Sequence, residues 1–122
     1  MTQPVADQMN IRRGDRLWIH ATEGVRADIA EDIADGVELV DGAEGATVVC
    51  VALRAKADFD QLFANHSDKL PHFRAVWLAY PRGSRAGLDE ETLGDLLETR
   101  GWKLGGHVAI DDLWSAVEAL QA

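Results

Sequence analysis

The residues best placed for chemistry lie in a loop rich in glycine and proline, residues 80–87. Arg82, Ser84 and Arg85 stand just ahead of a predicted helix, and two glycines of the same loop free its backbone amides. Two guanidinium groups beside exposed helical amides can bind an anionic group such as a phosphate or a carboxylate. The alternative is that these arginines neutralise the acidic residues at 89–91 or are solvated in a mobile loop.

The loop after the first predicted strand lacks a dinucleotide-binding fingerprint. It runs from His20 to Gly24 and holds one glycine where such a site needs three, and Glu23 would place negative charge where a phosphate should lie. The Walker pattern and the Gly-x-Ser-x-Gly motif of hydrolases are missing as well. We therefore expect a degenerate cofactor loop and no bound cofactor.

The histidines and the single cysteine predict neither a metal site nor a catalytic residue. No two of the four histidines are spaced as metal ligands on one helix face. His20 and His107 both lie on predicted strands and could approach each other, where proton transfer or ligand binding competes with simple packing. Cys50 stands in the apolar run V-V-C-V, which predicts a buried thiol without a disulfide partner.

The elements that must position these residues alternate between strand and helix. Apolar runs rich in β-formers predict strands at 16–20, 37–40, 46–53, 73–79 and 103–110, and amphipathic spacing predicts helices from Gly24, Asp58 and Asp89. Residues 113–121 fit a helix best, with a strand as the alternative. This order favours an α/β fold: an open, mostly parallel five-stranded sheet with helices on both faces, a truncated Rossmann-like domain.

One connection does not fit a regular alternation of strands and helices. Only Asp41 to Gly45 separate the second predicted strand from the third, which is too short for a crossover helix. Either the connection is compressed or one of the two strands runs antiparallel.

Length, composition and charge bound the functional classes. The 122 residues suit one domain, predicted at 11–122 after a flexible N-terminal tail at 1–10. Twelve basic against twenty-one acidic residues give a net charge of -9, which opposes binding to nucleic acid or to an anionic membrane. The chain shows no secretory signal or membrane-spanning run, so we expect a cytoplasmic protein. Exposed edge strands would allow a homodimer.

Four short segments resemble one known family. They are R-G-D-R-L from Arg13, G-V-E-L-V from Gly36, W-L-A-Y-P-R from Trp77 and D-D-L-W-S from Asp111. On these segments the chain, from about residue 14 to 115, resembles a small bacterial family known only as domain of unknown function three-thousand-fifty-two. The resemblance implies a Rossmann-like fold without an established activity, so no catalytic residue is carried over. Members of that family finish on a strand, where this chain is alanine-rich and predicted to be helical.

Two functional hypotheses follow. The first is a non-enzymatic regulatory or protein-interaction module with a degenerate cofactor loop and an unidentified protein partner. Trp102 and Trp114 flank the last predicted strand, and one of them could anchor such a contact, although core packing would also explain both. The alternative is a small-molecule binder or enzyme that holds a nucleotide- or S-adenosylmethionine-like anion at the loop 80–87. The missing cofactor motifs favour the first hypothesis.

Overall fold

The computed structural model describes residues 8–21, 23–30, 36–42, 44–82 and 89–121. Six strands and three α-helices lie within these ranges. In chain order they are β1 (Arg16–His20), α1 (Glu23–Ala30), β2 (Glu38–Val40), β3 (Val48–Ala52), α2 (Lys56–His66), β4 (Ala75–Pro81), α3 (Glu90–Glu98), β5 (Trp102–Ala109) and β6 (Trp114–Gln121). A short 3-10 turn, Leu70–His72, follows α2.

The six strands form one mixed sheet in the order β2-β1-β3-β4-β6-β5. Strands β1 to β4 pair in parallel, whereas β6 is antiparallel to both of its neighbours, β4 and β5. The chain therefore has a Rossmann-like α/β fold, as predicted. The prediction of five mostly parallel strands is wrong, because the sheet has a sixth strand of opposite direction.

The sixth strand occupies the residues that were predicted to form a helix. Val117 pairs with Leu78 of β4 on one side and with His107 of β5 on the other, so β6 has a hydrogen-bonded neighbour at each edge. Pairing on both sides satisfies the backbone groups of this segment within the sheet. It outweighs the modest helix preference of an alanine-rich sequence.

The short connection between β2 and β3 is compressed rather than antiparallel. Strand β2 pairs in parallel with β1, with Trp18 opposite Val40, and β3 lies on the other side of β1. No helix occurs in the described residues of the connection, 41–42 and 44–47. As a result, β1 is not covered by a crossover helix on the side that faces α2, and part of that side is open.

Two apolar clusters lie on opposite faces of the sheet. One cluster contains Val25 and Ile29 of α1 together with Leu17 and Ile19 of β1. The other contains apolar residues of α2 and α3, and we call the face of the sheet that it covers the α2–α3 face. The prediction of helices on both faces is therefore confirmed.

The described part of the predicted N-terminal tail packs against the α1 side of the sheet. Met9 is fully buried, and its backbone oxygen accepts a 3.2 Å hydrogen bond from Trp77 Nε1. Residues 1–7 lie outside the described ranges. Within those ranges, no helix combines the length and the apolar character needed to cross a membrane.

A polar network closes the amino edge of the sheet, where the parallel strands begin. Asp15, Thr47 and Arg74 immediately precede β1, β3 and β4. The Asp15 carboxylate accepts hydrogen bonds from the Arg12 amide at 2.8 Å and the Thr47 hydroxyl at 3.0 Å, and it forms an ion pair with the Arg74 guanidinium. Arg74 also donates to the Asn10 carbonyl at 2.7 Å.

The network lowers the pKa of Asp15. Burial by itself raises the pKa of this carboxyl, but the hydrogen bonds from Arg74, Arg12 and Thr47 and the charge of Arg74 together lower it below its ordinary value. The ionised form of Asp15 is thus the one that ties the three strand starts together.

Candidate functional site

A cavity opens at the carboxyl edge of the sheet, where the parallel strands end. It has a volume of about 480 Å³ and lies between α2 and the neighbouring strands β1 and β3. Ligands of open α/β sheets bind outside the carboxyl ends of the strands. Small-molecule sites typically measure about 300 to 1,000 Å³. The cavity therefore has both the place and the size of a small-molecule site.

Strand and helix periodicity bring the lining side chains together. Trp18 and His20 are two residues apart on β1, so both project from the α2–α3 face. The α2 residues that line the cavity are three or four positions apart, as expected for one face of a helix. Its members are Asp58, Gln61, Leu62, Asn65 and His66. Residues that are far apart in sequence thereby form the two walls of one cavity.

The strand wall of the cavity is aromatic. The ring centroid of Trp18 lies 5.5 Å from that of His20 and 5.4 Å from that of His66, which meets the indole edge-to-face. Trp18 is half-buried, and the part of the ring that its neighbours leave uncovered lines the cavity. The three rings span from β1 to the last residue of α2.

The helix wall of the cavity supplies polar groups without partners. The side chains of Arg54, Gln61 and Asn65 are exposed and form no hydrogen bond or ion pair within the described ranges. His66 differs from these three, because its Nδ1 is buried and has no hydrogen-bond partner in the structure. A buried nitrogen without a partner costs free energy, so proteins rarely keep one without a reason.

Helix α2 begins two residues before Asp58, the residue from which the sequence predicts it. Helix α2 begins at Lys56, and Asp58 lies in its first turn rather than at its cap. The Asp58 carboxylate reaches back and accepts a 2.8 Å hydrogen bond from the Arg54 amide. This bond fixes the chain at the point where β3 turns into α2, and it leaves the Arg54 guanidinium free.

The predicted anion site is only partly described. The Arg82 amide donates to the Leu113 carbonyl at 2.8 Å, and its guanidinium Nη1 donates to the Asp111 carbonyl at 3.2 Å. Arg82 therefore ties the end of β4 to the β5–β6 turn and does not line the cavity. Ser84 and Arg85 lie outside the described ranges, so the anion site at Arg82, Ser84 and Arg85 stays a prediction.

The neighbouring acidic residues act on the local backbone. Asp89 caps α3 as predicted, because its carboxylate accepts a 2.8 Å hydrogen bond from the Thr92 amide. Asp111 holds the β5–β6 turn by accepting 2.7 Å hydrogen bonds from the amides of Leu113 and Trp114. Burial raises the pKa of Asp111, but hydrogen bonding to Asp28 and these two amides, together with the charge of Arg82, lowers it overall.

His20 and His107 are not brought together. Strand β1 is separated from β5 by three other strands, a spacing of roughly 19 Å at the usual distance between neighbouring strands. The prediction that the two histidines could approach each other is therefore wrong. His20 lines the cavity, whereas His107 does not. No group of three metal-ligating side chains occurs in the part of the chain that is described.

Cys50, Trp102 and Trp114 do not line the cavity. Cys50 is fully buried, and burial raises its pKa to about 12, which leaves it unreactive as a thiolate. Trp102 is buried and packs edge-to-face against Phe63 at 6.1 Å between ring centroids. Trp114 is half-buried beside the apolar cluster of the α1 face. A contact surface that includes Trp114 stays a prediction.

Comparisons with known proteins give a fold but no family. No protein-family model matches the chain, and no curated protein matches it. Solved structures of the same fold do match. One is a protein of the NADB-Rossmann superfamily from Streptococcus agalactiae, at 9% identity and a TM-score of 0.59, with 100% of this chain and 69% of that chain covered.

Two of the similar structures are connected with methyl transfer. A protein from Streptococcus pneumoniae, provisionally assigned as a tRNA methyltransferase and in complex with S-adenosyl-L-methionine, has 11% identity and a TM-score of 0.59 over 97% of this chain and 70% of that one. A S-adenosylmethionine-dependent methyltransferase from Aquifex aeolicus has 13% identity and a TM-score of 0.56 over 97% of this chain and 88% of that one.

These comparisons correct the functional prediction. The expected non-enzymatic regulatory or protein-interaction module is not what the similar folds favour, because several of them belong to S-adenosylmethionine-dependent methyltransferases. They favour the alternative, a small-molecule binder or enzyme. The cavity is built from side chains of β1, β3 and α2 rather than from a glycine-rich turn.

Proposed function

We propose that this chain is a small-molecule-binding domain that takes a nucleotide- or S-adenosylmethionine-like ligand in the cavity at the carboxyl ends of β1 and β3. The observation that supports the proposal best is the position of the cavity, at the edge of a parallel sheet where such folds bind their ligands. The similar structures add support, since one of them holds S-adenosyl-L-methionine. At this level of identity they support the fold alone, so the argument for a ligand rests on the cavity.

The lining of the cavity suits a ligand with both apolar and polar parts. The side chains of Trp18 and Leu62 offer apolar surface, and Arg54, Gln61 and Asn65 offer donors and an acceptor. Arg54 precedes α2 and therefore lies at the carboxyl edge, where a phosphate or carboxylate of the ligand would meet a guanidinium that has no other partner. Because this cation is exposed, its contribution is expected to depend on salt concentration.

The resemblance to the family of domain of unknown function three-thousand-fifty-two enters as a second proposal. It rests on the four sequence segments alone. If the family shares this site, its members will have an aromatic residue at the place of Trp18 and a polar residue at the place of Asn65.

A thermal-shift screen tests the proposed function. S-adenosylmethionine, coenzyme A, nucleotides and phosphorylated metabolites are each added to the full chain. A ligand at 100 times its dissociation constant adds about 2.7 kcal/mol of apparent stability. For a domain of this size, that corresponds to a rise in Tm on the order of 10 °C.

Two matched arginine variants locate the site of any ligand found. Arg54→Met should reduce the Tm shift of a ligand that has an anionic group, whereas Arg82→Met should retain it. The reverse result would place the ligand at the loop 80–87 instead of the cavity. No Tm shift with any compound in the panel would contradict the proposed function.

A further inference from the structure

We infer that the inner end of the cavity recognises a flat nitrogen heterocycle of the purine type, stacked against Trp18 and hydrogen-bonded by Asn65 and Gln61. This inference rests on the proposed function and names the part of the ligand that the cavity selects. It differs from an anion site, because the groups that would read the ring lie away from Arg54, at the opposite end of α2.

The aromatic wall favours a ring over an aliphatic or sugar ligand. The ring of Trp18 contacts that of His20 on its own strand and that of His66 at the end of α2, at centroid distances of 5.5 Å and 5.4 Å. An indole fixed in this way has little rotamer freedom left to lose when a ligand stacks on its open surface. Base–aromatic stacking is tolerant of the particular base, since every base has a π face.

The polar wall favours a ring with nitrogens at its edge. Gln61 and Asn65, one helical turn apart, each offer an amide donor and an amide acceptor. This pairing of donor and acceptor matches the adjacent ring nitrogen and amino group of an adenine-type edge.

The open side of the cavity gives the ring its way in. The connection between β2 and β3 has no helix in its described residues, so nothing helical covers β1 on this face. The cavity is open to solvent. A ligand can therefore enter from solvent and place its ring between β1 and α2.

The experiment compares ligands that differ in the ring alone. Adenosine 5′-monophosphate and ribose 5-phosphate share a phosphate and a sugar, and S-adenosylmethionine shares the ring but not the phosphate. Affinities are measured by titration calorimetry on the full chain, with tryptophan fluorescence as a second signal. We expect both adenine compounds to bind and to quench fluorescence, and ribose 5-phosphate to bind far more weakly.

The variants compare two half-buried tryptophans. Trp18→Leu should weaken adenosine 5′-monophosphate about 5- to 150-fold, the range for loss of one stacked base. Trp114→Leu, which alters a tryptophan outside the cavity, should leave affinity unchanged. Trp18→Phe keeps a ring and should restore part of the affinity, and it replaces the leucine variant if the latter does not fold.

The outcomes separate this inference from the proposed function. If the adenine compounds bind but Trp18→Leu and Trp18→Phe bind them as well as the parent chain, the inference is wrong and the proposed function stands. Equal affinity for ribose 5-phosphate and adenosine 5′-monophosphate has the same meaning. If none of the three compounds, nor any other in the screening panel, binds the chain, both fail.

Discussion

The two edges of the sheet use polar residues in opposite ways. At the amino edge, Asp15, Thr47 and Arg74 stand before three neighbouring strands and bond one another. At the carboxyl edge of β1 and β3, the exposed guanidinium of Arg54 has no partner among the described residues and lines an open cavity. The parallel strands thus begin at a closed hydrogen-bonded network and end at an open cavity.

The residues that stabilise the fold and the residues available for binding thus lie at opposite edges of the sheet. The hydrogen-bonded polar groups of the amino edge stabilise the starts of the strands. Loss of one of these bonds would leave a partly buried charge without a partner, which costs free energy. The exposed polar groups of the cavity can bond water when no ligand is bound, so they contribute little to folding and are available for binding. Substitutions at the two edges should therefore affect different measurements.

Removing the cation of the amino edge should have the largest effect on stability. Arg74→Met leaves the Asp15 carboxylate, whose side chain is only 10% exposed, without its ion-pair partner. We expect the free energy of unfolding to fall by about 2 kcal/mol in urea denaturation, since bonds to a charged group are lost. Ligand affinity at the carboxyl edge should not change.

An exposed arginine gives the control for this variant. Arg16 pairs with Glu38 at 3.3 Å, but their side chains are 57% and 65% exposed. Arg16→Met should therefore cost less than about 1 kcal/mol. Equal losses for Arg16→Met and Arg74→Met would mean that the amino-edge network is no stronger than a surface ion pair.

Low pH should lower the stability of the folded chain through protonation of Asp15. The folded-state pKa of Asp15 lies below its ordinary value of 3.8, so the unfolded chain binds more protons in this range. The stabilisation is complete above the unfolded pKa and is lost as the pH falls through the folded pKa. We expect urea midpoints measured from pH 5 downward to fall less steeply in Asp15→Asn than in the parent chain.

Asp111 complicates this measurement in a known direction. Its pKa is also lowered in the folded state, so it adds stability with the same sign and some acid sensitivity should persist in Asp15→Asn. An unchanged slope in Asp15→Asn would show that the network does not favour the ionised carboxyl.

The smallest expected effect on the free energy of unfolding is an increase rather than a loss. His66→Phe keeps the edge-to-face contact with Trp18 but removes the buried nitrogen without a partner. We expect the free energy of unfolding to rise by about 1 kcal/mol, because no polar atom is then buried unsatisfied. Arg54→Met, at an exposed position of the same cavity, should stay within about 0.5 kcal/mol of the parent chain. A loss of stability in His66→Phe would show that the buried nitrogen does not cost the folded chain free energy.

Much of the fold was predictable because most elements obey local rules. The runs at 16–20 and 46–53 are apolar and rich in β-formers, and both become strands. Residues 114–121 could not be assigned in this way, since Val117 and Leu120 fit a helical stripe while the segment is in fact held between β4 and β5. A strand whose stability comes from two distant partners leaves a weak local pattern.

The site was less predictable than the fold, because its walls are far apart in sequence. Trp18 lies in a predicted strand and His66 in a predicted helix, and neither was predicted to be a site residue. The available signal was the pair Trp18 and His20, since a histidine two residues after a tryptophan on a strand shares its face. The sequence predicted a site at the loop 80–87 instead, because its arginines and glycines are close together in the chain.

The antiparallel insertion of β6 has a consequence for how the protein is made. Strands β2 to β4 can each join an earlier neighbour as they leave the ribosome, but β5 has no place in the sheet until β6 has been synthesised. Until that moment one border of β4, with its apolar side chains, has no strand beside it and offers a template for misassembly. The sheet is therefore completed in one late step, in which the β5–β6 hairpin pairs with β4.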